Sequence, residues 1–140
     1  GTPEQLLSHA SLWELEQRFK IHGLDPAAAY DERAMQAPYA IETRAWVESA
    51  ANALAHSVVS ATAFLDMDAI VMDGSFCRPL LELLMQSTRE ALARYDWQGL
   101  WPATLLTGSI GSDARALGGA MLPLHANFAP DRDLFLKVGV

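Results

Sequence analysis

A change of period near residue 66 constrains this chain more than any other feature. Upstream, apolar residues recur at three- and four-residue intervals, the mark of packed helices. Downstream, a continuous run, Ala69-Ile70-Val71-Met72, is bounded by Asp68 and by Asp73-Gly74. A second run, Thr104-Leu105-Leu106-Thr107, stops at Gly108-Ser109-Ile110-Gly111. Short apolar runs with charged or glycine ends read as buried strands of a parallel sheet. Between them lies a helical pattern. Pro79 suits a first helical turn, and Leu80, Leu81, Leu84, Thr88, Ala91 and Leu92 make an amphipathic helix reaching about Tyr95. Asp96 to Pro102 is a turn-rich connection. Ser112-Asp113 then caps another helix through Ala114, Leu117 and Met121, disturbed at Pro123. The tail from Asp133 to Val138 alternates weakly, as an edge strand or as extended chain. Strand, helix, strand, helix in that order implies parallel strands joined by a right-handed crossover. The fold class is therefore α/β, with a helical first half.

That first half has its own punctuation. Ser11 with Glu14 three residues on has the form of a capping box, Leu12, Leu15 and Phe19 follow at helical spacing, and Gly23 closes the segment. Asp25-Pro26 starts a second, short helix over Ala27 to Met35, ended near Pro38. From Tyr39 to about Leu65 runs the longest periodic segment, with Ile41, Ala45, Ala51, Leu54, Val58 and Leu65 as its stripe. Ala50, Ala51, Ala53, Ala55 and Ala61 keep several faces narrow, as a buried helix or a subunit seam would. One domain over 1–140 is expected: a helical part over about 4–65, the β-α-β-α part over about 68–124 and an extended tail over 125–140.

Composition narrows the function classes. The 140 residues are 51% hydrophobic and 19% charged, a globular balance able to build a core. A net charge of -7, with ten scattered Lys and Arg residues, argues against direct contact with a nucleic-acid backbone. Cys77 is the only cysteine, so no disulfide framework or cysteine-based zinc site forms within one chain, and a reducing, cytoplasmic setting is expected. No apolar run approaches the roughly 20 residues that span a bilayer. The Gly1-Thr2-Pro3 opening, without Met or signal peptide, reads as a cut or processed start, with the natural protein extending upstream.

In open parallel sheets, ligands sit beyond the carboxyl ends of the strands. Two loops meet that condition, Asp73-Gly74-Ser75 and Gly108-Ser109-Ile110-Gly111-Ser112, each before a helix whose free N–H groups suit an anion or nucleotide. Ordinary strand-to-helix turns would use the same glycines. Further on, Ala114, Gly118 and Gly119-Ala120 line one helix side with small residues, as tight packing requires.

The run Ala69-Ile70-Val71-Met72-Asp73-Gly74-Ser75, then a helix, then Leu105-Leu106-Thr107-Gly108-Ser109-Ile110-Gly111-Ser112-Asp113-Ala114-Arg115-Ala116-Leu117-Gly118-Gly119-Ala120, resembles the C-terminal signature of the ROK family of repressors and sugar kinases. Leu122-Pro123-Leu124 and Phe128 resemble the tails of its repressor-like members, and the likeness spans Asp66 to Leu124. It implies part of the second lobe of an actin-like, hexokinase-type ATPase fold. Gly74, Ser75, Gly108, Ser109 and Gly111 would then be the nucleotide-side loop residues. Asp73 stands where kinases of the family commonly carry Gly, which is more like the regulators. The family's phosphate motif, catalytic-base Asp, sugar site and zinc motif are absent from these 140 residues, so no catalytic residue, metal or cofactor is assigned to this segment. ATP enters only if the parent protein is a kinase. The resemblance implies the sugar-sensing and dimerising lobe of a transcriptional regulator, with a second copy, the rest of the parent chain and a sugar as partners. The C-terminal lobe of an ATP-dependent sugar kinase is the alternative.

The remaining candidates are weaker. His9, His22, His56 and His125 are far apart and form no metal-binding spacing. Cys77 near a helix start is either a thiol of lowered pKa or a small buried filler. Asp-Gly-Ser-Phe-Cys around Ser75 is not a nucleophile elbow. Asp66, Asp68 and Asp73 lack calcium-loop spacing. Trp13, Trp46, Trp97 and Trp101 offer either a sugar-stacking platform or core and interface anchors.

Overall fold

The computed structural model describes residues 6–65, 67–97, 99 and 102–111. Among these residues four α-helices and two strands follow in order: α1 (Leu6–Ala10), α2 (Leu12–Ile21), α3 (Ala40–Phe64), β1 (Ala69–Met72), α4 (Arg78–Leu92) and β2 (Thr104–Thr107). The helix expected after Ser112, its Gly118-Gly119-Ala120 face, the tail, Asp66, Trp101 and His125 lie outside the described residues.

Local signals set the first turns. Ser11 caps α2, its Oγ accepting from the Glu14 N–H at 3.4 Å. The reciprocal half of a capping box is replaced by an ion pair, because the Glu14 carboxylate turns to Arg18, Oε1 to Nε 3.2 Å. At the other end, Gly23 has φ 68°. The Leu24 N–H returns to the Phe19 carbonyl at 2.8 Å and the Gly23 N–H to Lys20 at 3.0 Å, a Schellman closure.

The short helix expected over 27–35 is two 3-10 turns, Pro26–Tyr30 and Glu32–Met35. Asp31 divides them. Its extended backbone and its carboxylate, which accepts from the Arg33 N–H at 2.9 Å, start a second capped turn where one helix would have continued. Arg33 is also bound by Asp25 at 2.8 Å and by Asp31 at 2.8 Å, so both carboxyls sit below their ordinary pKa.

Helix α3 confirms the long periodic segment but corrects its face. Thr43, Trp46, Val47, Ala50, Ala51, Ala55 and Val58 are buried, an i, i+3, i+4, i+7 stripe. Ile41 is 76% exposed, and Ala45 and Leu65 also face outward. The broad apolar composition of this helix hid the stripe, since alanine satisfies either face. Trp46 lies at the centre of the core with Leu15, Phe19 and Leu80, all without exposure. Its indole N–H donates to the Ser11 carbonyl at 3.2 Å, so its polar edge is satisfied. Thr43 and Thr88 are buried too, donating to the Ala34 and Leu84 carbonyls at 2.7 Å each. Trp97 donates to the Leu92 carbonyl at 3.1 Å, whereas Trp13 is 63% exposed.

The six α4 positions named from periodicity are all buried, joined by Met85. The helix ends at Leu92 rather than Tyr95, because Arg94 and Tyr95 N–H groups close i→i−3 turns onto Ala91 and Leu92. Packed against α3 on one side, α4 reaches β2 on the other, where Arg89 Nη2 donates to the Leu105 carbonyl at 3.1 Å.

Strands β1 and β2 pair in parallel, Ala69 opposite Thr104 through Met72 opposite Thr107. The helical crossover between them is α4. Burial of both strands is not what is observed. Leu105 is buried and Ile70 and Met72 are half-buried, on the side of the core. On the other side Val71 is 64% and Leu106 46% exposed. Among the described residues, only one face of the sheet is covered. The architecture is thus mixed helix with a small parallel sheet, and among the described residues no helix is long and apolar enough to cross a membrane.

Candidate functional site: the paired glycine corners

Parallel pairing places the carboxyl ends of β1 and β2 together, and with them the two glycine loops. The last ladder bond runs from the Gly108 N–H to the Met72 carbonyl at 2.7 Å. Beyond it the chains leave the sheet side by side, and one side chain joins them. The Asp73 carboxylate accepts from the Gly74 N–H at 2.9 Å, from the Ile110 N–H at 3.0 Å and from the Gly111 N–H at 3.0 and 3.2 Å. Arg78, in the first turn of α4, completes the cluster. Its Nη1 donates to the Gly108 carbonyl at 2.7 Å and stands 3.6 Å from Asp73 Oδ1.

Two glycines are required by this geometry. A Cβ on Gly108 would lie 2.6 Å from Asp73 Cγ and 2.5 Å from its Cβ, so the aspartate can lie flat on the second loop only because nothing projects there. Gly111 has φ 59°, which turns its N–H inward beside that of Ile110. Consecutive inward-facing amides form a concavity suited to an anion.

The backbone N–H groups, led by that of Gly111, hold the Asp73 carboxyl below the usual carboxylate range, and Arg78 adds to this. A depressed native value means that the charge stabilises the fold above the ordinary range. That contribution is lost as pH falls through the native value. The stability difference between the wild type and Asp73→Asn should therefore be full near neutrality and vanish in strong acid. Urea midpoints followed across the acid range measure it, and a difference that does not change with pH refutes it.

Of the residues named from sequence, Gly74, Gly108 and Gly111 belong to this cluster through their backbones. Ser75 is half-buried beside it, and Ser109 points to solvent. Two residues organise the corners: Asp73, which the sequence places in the first loop, and Arg78, which the sequence does not single out. An Asp ending one parallel strand, with a glycine loop ending the next, is the signal that locates them. Cys77 is half-buried, and burial pushes its thiol up, which favours the filler over the reactive thiolate. His22 is tied to the Arg18 carbonyl at 2.9 Å and to Glu42 at 3.5 Å, while His9 meets Ser49 at 3.2 Å. Among the described residues no three His, Cys, Asp or Glu side chains converge as a metal set. A groove between α1 and α3, about 440 Å³, is lined by His9, Ser49, Asn52, His56 and Ser57. No family model, curated protein or solved structure matches the chain.

Proposed function

We propose that this chain is a non-catalytic, ligand-sensing and dimerising lobe of a ROK-type transcriptional regulator. The observation that carries the reading is the commitment of the paired corners to the chain's own carboxylate. A nucleotide-binding lobe offers its loop amides to a ligand, while here Gly74, Ile110 and Gly111 donate to Asp73. The net charge of -7 suits a body that leaves DNA to another part of the parent protein. The sensed sugar and the second copy belong to the same proposal, and neither is assigned to a residue.

Calorimetric titration of the chain with ATP and Mg²⁺ tests it. No saturable heat is expected at millimolar nucleotide. Binding tighter than about 1 mM, roughly -4 kcal/mol, would favour the lobe of a sugar kinase instead. In the parent protein, a monosaccharide is expected to change operator affinity, and sugar-dependent ATP hydrolysis there would equally overturn the proposal.

A further inference from the structure

We infer that the charge of Asp73 is what closes these corners to phosphate-bearing ligands, which makes Asp73 a specificity determinant of the chain. This deepens the reading of the lobe as nucleotide-silent and rests on it. Three N–H groups from two loops separated by more than thirty residues converge on one carboxylate, and a guanidinium stands beside them. Convergent amides with an arginine form the chemistry by which proteins hold phosphate oxygens. Here a tethered anion is already in place.

Two effects could exclude an outside anion, bulk and charge. The carboxymethyl group lies against Gly108, and its removal would uncover the amides it now binds. Charge acts more strongly. An arriving phosphate meets a like charge with its donors already engaged. The competitor is also covalently attached, so its effective concentration is on the order of millimolar or above, whatever the concentration of the free anion. Arg78 does not reverse this, because one of its nitrogens is bound to the Gly108 carbonyl as well.

The experiment follows the Ile110 and Gly111 amide resonances of the 140-residue chain during titration with inorganic phosphate and, separately, with ATP and Mg²⁺. The wild type is expected to stay unmoved. Asp73→Gly should show saturable shifts with phosphate, with affinity at least tenfold above any wild-type response, and Arg78→Ala in that background should weaken them. Asp73→Asn keeps the shape without the charge and should also respond, though less. An Asp73→Asn protein indistinguishable from the wild type overturns the inference, even where Asp73→Gly responds, since bulk would then be the cause. Should Asp73→Gly lose its helical circular dichroism, the Asn variant decides alone. A response to ATP but not to phosphate also overturns it, because recognition would run through the base. Wild-type binding of ATP sinks the nucleotide-silent reading, whereas silent variants beside a silent wild type sink only this inference.

Discussion

Replacing Trp46 by Ala is expected to lower the unfolding free energy by about 3–5 kcal/mol, the cost of deleting a large buried aromatic side chain. Trp46 has no exposed surface and is the largest fully buried side chain among the described residues. It lies in the core that joins α2, α3 and α4. The substitution also leaves the Ser11 carbonyl without its indole donor, next to the cap of α2. A domain of ordinary stability, about 5–15 kcal/mol, would lose a large fraction of its margin. Urea unfolding followed by far-ultraviolet circular dichroism measures the change. A loss below about 1 kcal/mol, typical of exposed sites, would mean that Trp46 is not the centre of the core.

Gly108→Ala should cost about 1–3 kcal/mol, for a methyl forced into occupied space. The added Cβ meets the Asp73 side chain, which cannot retreat without releasing the Ile110 and Gly111 amides. The distinguishing measurement is a double-mutant cycle. In an Asp73→Gly background the three atoms nearest to the same methyl are gone, so the penalty of Gly108→Ala should shrink. Additive losses would show that Gly108 and Asp73 do not touch in solution.

The sequence made some parts of this molecule legible because single residues carry the signal. Ser11, Gly23, Asp25 and Pro79 each have one dominant use in a chain, and each stands where that use predicts. The α4 face could be read because leucines and charges alternate sharply there. The α3 face is legible only in part: Ala51, Leu54 and Val58 face the core as the periodicity predicts, but Ile41 faces outward, and buried alanines say little about direction. The spacing places Asp31 inside a helix, whereas its side chain competes for the backbone and divides the segment in two. In the corners, the glycines were found by type. Asp73 stands out in the sequence as an Asp where Gly is expected; its hold on the second loop is not legible, because Ile110 and Gly111 lie more than thirty residues away and strand register brings them to it.

Ala50, Ala51 and Ala55, buried along α3, have a thermodynamic side as well as a geometric one. Alanine has no rotamers to lose, so seating these positions carries no side-chain entropy cost, whereas each leucine or methionine facing them gives up part of its rotational freedom. These alanines therefore contribute little apolar area and almost no side-chain ordering penalty, while the backbone cost of the helix remains. Its fit to α1 and α4 depends on how closely the backbones approach.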